Sequence, residues 1–186
     1  MEEIEVPMEH LNEKINEEAK EGGNKGTMAI ALSTAFMAVF AAIAALLAGH
    51  HSNEAVIKQI ESSDKWAQYQ SKSIKSEIAS STDKIITTLS VAPESKEKKE
   101  AVAEVLAKKI EKYEIEKEEI SKEARGLETD AEAHLERHVT LSKAVTIFQI
   151  AIALSAISIL TRRRWLWFGS LGLSAAGAVF LILGAI

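Results

Sequence analysis

Cysteine is absent from this chain of 186 residues, which excludes disulfides, thiolate nucleophiles and thiolate metal sites. The chain also lacks a basic field: its formal net charge is −5 at pH 7, so we do not expect nucleic acid as a partner. A glycine-rich phosphate loop and a serine nucleophile motif are both missing from the sequence. Because the many carboxylates alternate with lysines as on solvated helix faces, we expect no enzyme activity.

Charge is excluded from three apolar runs, residues 27–49, 144–161 and 165–186, although 26% of all residues are charged. A helix that crosses a hydrocarbon core about 30 Å thick needs roughly 20 apolar residues. The first and third runs meet this length, and the middle run is marginal by itself. We therefore predict an all-α integral membrane protein with three transmembrane helices, in contact with membrane lipid. The first run follows an acidic segment without a cleavage site and is predicted to be a retained signal anchor.

The arginines at 162–164, between the second and third runs, predict the orientation of the chain. Short loops rich in arginine stay in the cytoplasm. This places the N-terminus in the cytoplasm and residues 50–143 outside the membrane, which we expect to be a bacterial inner membrane. The reverse orientation, with residues 50–143 in the cytoplasm, is the alternative.

Residues 50–143 carry the heptad spacing of a coiled coil, and we predict a long antiparallel helical hairpin with its turn near residues 90–95. A stripe at alternating spacings of three and four residues runs along the second arm into the second span without a break. A weaker stripe marks the first arm. The stripe of the second arm consists of Leu106, Ile110, Tyr113, Lys117, Ile120, Ala124, Leu127, Ala131, His134, His138, Leu141 and Val145. That of the first arm consists of Ile57, Ile60, Ala67, Ile74, Ile78 and Ile85.

Two places in the arms resemble helix ends, namely Ser62 to Asp64 and Gly126 followed by Thr129. Because the stripes pass through both places in phase, we favour continuous helices over a shared kink. Residues 1–26 are predicted to form a separate acidic amphipathic helix and linker. The narrow apolar stripe of this helix suits a partner helix, and a frayed terminus is the alternative.

The segment at 65–75 reads KWAQYQSKSIK, and it resembles the signature of an uncharacterised bacterial membrane family, domain of unknown function 4337. The resemblance extends to the acidic N-terminal helix, the lysine- and glutamate-rich hairpin and the paired C-terminal spans. It implies a membrane protein and supplies no activity or catalytic residues. Trp66 and Tyr69 within the segment are predicted to pack inside the hairpin or against another subunit.

Four histidines are candidates for a metal site: His50, His51, His134 and His138. His134 and His138 lie one helical turn apart, a spacing that directs two imidazoles to one ion. In a hairpin with arms of equal length, each residue of the first arm lies opposite a residue of the second arm, and the two residue numbers sum to about 185. His51 is therefore predicted to lie opposite His134. With Glu54 or Glu132 nearby, the cluster suits a divalent cation or a proton-sensitive joint, and plain packing is the third interpretation.

The third span carries small residues for close helix packing, with Ser170, Ser174 and Ala178 at four-residue intervals and Gly172 and Gly177 beside them. An isolated pair of long helices has too small a core to be rigid. We therefore expect a homo-oligomeric membrane scaffold that presents a helical stalk, with a protein partner at the stalk or at the N-terminal helix. The alternative is a channel or gated pore formed by the oligomer.

Overall fold

The structure is a computed structural model that describes residues 25–88 and 96–186. It contains helix α1 (Lys25–Thr88), helix α2 (Lys96–Thr161) and helix α3 (Arg164–Ala185), and no strand occurs in these two ranges. The predicted all-helical class is therefore confirmed. The predicted N-terminal helix, apart from its last two residues, and the predicted turn near 90–95 lie outside the described residues.

Helices α1 and α2 continue through the two places that resemble helix ends. The hydroxyl of Ser63 donates to the carbonyl of Gln59 at 3.0 Å, and that of Thr129 donates to Arg125 at 3.0 Å. Serine and threonine can bond in this way to the carbonyl one turn earlier and so remain inside a helix without capping it. The interpretation with continuous helices is confirmed.

All three helices are long and apolar enough to cross a membrane, by length and composition. α2 and α3 are joined at Arg162, whose φ of 52° is the left-handed conformation of a tight turn. The hydroxyl of Ser158 donates to the carbonyl of Arg163 at 3.1 Å and so satisfies a polar group within the turn. Arg162, Arg163 and Arg164 are all exposed.

The described chain divides into two compact units, both of which contain parts of α1 and α2. The apolar unit consists of residues 25–53 and 134–186, and the charged unit consists of Glu54–Ala133. In the apolar unit the three helices bury a core of large and small apolar side chains. The members of this core are Met37, Ala44, Ala144, Phe148, Ala151 and Ile152.

The buried face of α3 carries Ser170, Gly177 and Gly184, spaced seven residues apart. A Cβ atom on Gly177 would lie 3.3 Å from the ring of Phe148, and one on Gly184 would lie 2.6 Å from Cγ of Leu141. Small residues therefore let α3 approach α2 closely, as expected for helices that pack within a membrane. Of the small residues predicted for this face, Gly172 is exposed, whereas Gly184 belongs to it and was not predicted.

Among the described residues of the charged unit, only small side chains are buried. Its contacts between α1 and α2 advance along one helix as they recede along the other, since Ser62 bonds Ala124 while Ser76 bonds Glu114. The buried residues of this unit are Ala55, Ser62, Ser76, Ala79, Ala124 and Ala131.

The two predicted stripes differ in outcome. Every one of the residues in the α2 stripe is buried or half-buried, so the inward face predicted for α2 is confirmed. The prediction for α1 is wrong, because Ile57, Ile60, Ile74, Ile78 and Ile85 have exposed fractions of 46–61%. Within the charged unit, the buried positions of α1 are alanines and serines instead, since two small side chains let the helices approach more closely than two isoleucines would.

Candidate functional site

The histidine cluster lies in the apolar unit, where α1 contributes His51 and α2 contributes His134 and His138. Nδ1 of His51 lies 2.9 Å from Nδ1 of His134, and the two ring centroids are 5.1 Å apart. This contact confirms the prediction that these two residues lie opposite each other. It follows from the uninterrupted α2 stripe, which carries the inward face of α2 through His134 and His138.

The contact between His51 and His134 requires one proton between the two Nδ1 atoms. One nitrogen must carry hydrogen and donate, and the other must be bare and accept. If both imidazoles were protonated, two N–H groups and two positive charges would face each other at 2.9 Å. The pair is therefore compatible with at most one imidazolium.

His138 makes a different contact in the same unit. Its Nδ1 lies 2.8 Å from the carbonyl oxygen of Ala48, and because a carbonyl only accepts, Nδ1 of His138 is the donor. This bond fixes the ring orientation and leaves Nε2 as the nitrogen that can bind a further group. His50, the fourth predicted residue, is exposed, and its ring centroid lies 5.4 Å from that of His51.

Among the described residues, no group of three or more histidine, aspartate or glutamate side chains is arranged to hold a metal ion. The structure brings His51 and His134 into contact and uses Nδ1 of His138 for a backbone bond. A first coordination shell needs nitrogens about 2 Å from one ion, usually from three or four ligands. The divalent metal at His50, His51, His134 and His138 stays a prediction.

A second polar contact of the apolar unit is a hydrogen bond between two hydroxyls in its core. The Thr34 hydroxyl donates to the carbonyl of Ile30 at 2.8 Å, so the Ser155 hydroxyl donates to Thr34 across 2.6 Å. The indole N–H of Trp167 donates to Ser33 at 3.1 Å. These bonds satisfy buried polar groups that would otherwise be costly in an apolar environment.

The contact between Thr34 and Ser155 was not predicted from the sequence. A usable signal was present, because the pairing rule that placed His51 opposite His134 assigns Thr34 to residue 151, one turn from Ser155. Gln149, a polar residue of the second apolar run, is exposed in the described chain.

In the charged unit, Trp66 and Tyr69 make a group of polar and aromatic contacts. The indole N–H of Trp66 donates to Oε1 of Glu128 at 2.8 Å, and Tyr69 packs edge-on against the Trp66 ring. Nζ of Lys117 lies 5.6 Å from the centroid of Tyr69, within the range of a cation–π contact. Both predicted aromatic residues are thus half-buried against groups of their own unit.

Ion pairs also join α1 and α2 inside the charged unit. Lys72 contacts Glu116 at 2.6 Å, and this hydrogen bond holds the pKa of the Glu116 carboxyl below its ordinary value. The hydrogen bond from Lys117, followed by that from Ser76, lowers the pKa of Glu114 in the same way. These groups are partly solvated, so they align the helices more than they stabilise them.

A chain of three helices that are long and apolar enough to cross a membrane, joined by small residues and interhelical hydroxyl bonds, has the features of a polytopic helical membrane protein. Its family follows from the sequence itself. The chain belongs to the family described as Domain of unknown function (DUF4337), whose sequence pattern matches residues 27–186. The predicted family is therefore confirmed over these residues, and the N-terminal segment before residue 27 lies outside the match. Comparison with curated proteins and with solved structures finds no match.

Proposed function

We propose that this protein is a homo-oligomeric membrane scaffold, which presents its charged unit as an antiparallel coiled-coil stalk outside a bacterial inner membrane. The observation that carries the proposal is the burial in the charged unit, whose fully buried side chains within 54–88 and 98–133 are only those of alanine and serine. Alanine and serine contribute little apolar area, so two helices joined by them have a small hydrophobic core.

Lateral assembly supplies the missing contacts in this proposal. The part of α1 in the charged unit exposes large apolar side chains in a region where charged residues are frequent and which the proposal places outside the lipid. Helix pairs of roughly 50–60 Å, as given by 1.5 Å rise per residue, are stable in water when their apolar faces are covered. Copies of the chain in one membrane are held at high local concentration and can cover one another.

The assembly is tested by measuring the mass of the intact protein in detergent and in lipid nanodiscs. We expect a mass of two or more copies in both, with the larger species retained on dilution. A protein that stays monomeric at every concentration in both environments would contradict the scaffold proposal.

The exposed arginines 162–164 support a cytoplasmic position for the turn between α2 and α3. Because the chain has no cysteine, Glu111→Cys and Thr161→Cys each introduce a single thiol at an exposed position. In intact bacterial cells an impermeant thiol reagent is expected to label position 111 and not position 161. The opposite pattern would reverse the orientation and leave the three spans in place.

A gated pore is the second candidate function, and the contact between His51 and His134 favours it. A second proton on this pair replaces a hydrogen bond with repulsion between two imidazolium groups, with His50 and His138 as the neighbouring imidazoles. Purified protein in planar bilayers is expected to change its conductance between pH 7.5 and 5.5. The His134→Gln variant is expected to abolish that change. If the wild-type protein has no conductance at either pH, the pore is excluded.

The divalent cation is tested separately from the pore. Ligand binding raises thermal stability, so Zn²⁺ is expected to raise the melting temperature of the wild-type protein. The double change His134→Ala and His138→Ala is expected to remove this rise. An equal rise in both proteins would place Zn²⁺ elsewhere.

A further inference from the structure

The isoleucine stripe of α1 has the spacing of a coiled-coil contact face. We define it by its members Ile57, Ile60, Ile74, Ile78 and Ile85, which fall on one series of alternating three- and four-residue steps. Their exposed fractions are 46%, 57%, 61%, 60% and 60%. Single exposed apolar residues are common on protein surfaces, whereas these five lie on one side of the helix, with Asp64, Ala67, Ser71 and Ser81 at the other positions of the series.

This stripe lies on the side of α1 that faces away from α2. At 100° per residue, Ile78 is rotated by roughly 160° from Ser76, whose hydroxyl bonds Glu114 of α2. Ile60 is likewise about 160° from Ser62, which bonds the carbonyl of Ala124. The contacts that hold α1 to α2 in the charged unit therefore leave the stripe uncovered.

Lipid does not cover the stripe if the charged unit lies in water, as the proposed function requires. Between the isoleucines lie Lys72, Lys75 and Glu77, residues that do not enter a hydrocarbon core without a partner. Isoleucines that recur in a heptad series and are bordered by charge are typical of a helix that packs on another helix in water.

We propose that the isoleucine stripe is the contact face for the same stripe of a second copy, packed parallel and in register. The proposal rests on membrane insertion, because copies inserted the same way hold their stripes in the same direction and at the same height. Each isoleucine then meets its own counterpart, as in a parallel coiled coil with an isologous interface.

The positions that flank the stripe are compatible with this pairing. In a parallel pair the flanking residue of one helix meets the residue five positions later in the other. Within the stripe these pairs are Ser63 with Gln68, Gln70 with Lys75 and Glu77 with Thr82, and none joins two charges of the same sign. Asp64 falls on the stripe itself and would meet Asp64 of the second copy, so the strongest contact is expected at Ile74, Ile78 and Ile85.

The absence of cysteine makes the interface directly testable, since Ile78→Cys introduces the only thiol of the chain. In-register parallel helices bring two such positions within about 7 Å between Cα atoms, a distance that a disulfide spans. Mild oxidation in native membranes is expected to give a dimer of twice the chain mass that reverts on reduction. Ile115→Cys is the matched control, an isoleucine of α2 in the same unit with an exposed fraction of 55%.

We expect at least ten times more cross-linked dimer for Ile78→Cys than for Ile115→Cys. Equal yields would show random collision and overturn the proposal. No dimer at position 78 in a protein whose mass is oligomeric would overturn the stripe as the interface and leave the scaffold intact. A monomeric mass for the wild-type protein would overturn both. A cross-link from position 78 to a chain of another mass would identify a different occupant and overturn pairing between copies.

Discussion

The apolar unit and the charged unit share the two long helices α1 and α2, yet they bury different side chains. Fully buried residues of the apolar unit include Phe148, Leu141 and Ile152, whereas those of the charged unit are alanines and serines. Under the proposed membrane insertion, the different solvents around the two units account for this difference. In lipid, helices associate through close packing of well-fitted side chains, and exposed apolar groups cost nothing. In water, the same exposure is unfavourable, and the charged unit retains it on α1.

The comparison shows that helix continuity does not imply a continuous mode of packing. α1 passes from an apolar core at Met37 and Ala44 to a seam of small residues at Ser62 and Ser76 without leaving the α-helical conformation. Backbone hydrogen bonds are satisfied inside each helix, so the neighbours of a helix can change along its length at little cost to the backbone.

The largest effect is expected from Phe148→Ala in the apolar unit, because Phe148 is fully buried and also contacts Gly177. The cavity should lower the free energy of unfolding by about 2–4 kcal/mol. Unfolding in detergent followed by circular dichroism measures the change. Phe168→Ala, at a residue with an exposed fraction of 62%, is the control and should change stability little. Equal losses for the two variants would contradict the assigned core.

Ala124→Leu is expected to be the most damaging single change in the charged unit. Ala124 is fully buried, and its carbonyl accepts from Ser62, so a larger side chain must force α1 and α2 apart. Overpacking of this kind costs about 1–3 kcal/mol. Hydrogen exchange is expected to accelerate in the charged unit while the apolar unit keeps its protection. The same change at the exposed Ala107 should leave exchange unaltered.

A smaller effect in the apolar unit is expected from Gly184→Ala. The new methyl group would lie 2.6 Å from Cγ of Leu141, and relieving this clash should cost about 1–2 kcal/mol. Gly172→Ala is the matched control, because a Cβ there meets no atom within 4 Å. Alanine favours the helix over glycine, so the control should be unchanged or slightly stabilised in thermal unfolding. A stabilised Gly184→Ala variant would contradict the close approach of α3 to α2.

The smallest effect concerns pH and the ion pairs of the charged unit. Because the pKa of Glu116 is lowered from the ordinary 4.5 by its bond to Lys72, its contribution is fully present above 4.5 and is lost as the pH falls through the lowered value. The protection of amides in the charged unit, measured relative to the intrinsic exchange rate at each pH, is expected to fall below pH 4.5. Glu116→Gln should reduce this loss of protection, whereas the change Glu100→Gln at an exposed position should not. Identical profiles for the two variants would assign the acid sensitivity to other groups.

Much of the fold is predictable from the sequence because solvent sorts residues by polarity over long stretches. The three uncharged runs and the α2 stripe indicate the spans and the inward face of α2, and equal arm lengths bring His51 opposite His134. The same reasoning wrongly predicted that the isoleucines of α1 face α2. A heptad series shows that a helix has a contact face, but it does not say which neighbour covers that face.

By itself the sequence determined the helical class, the three apolar segments, the family and the opposition of His51 and His134. Only the tertiary structure decided that Ser62 and Ser76, and not the isoleucines, face α2, and that Gly184 lies against Leu141. The physical reason is that the polarity of a side chain is a property of each residue and can be recognised from the sequence alone. Close packing depends on which two surfaces fit, and that choice exists only once both helices are in place.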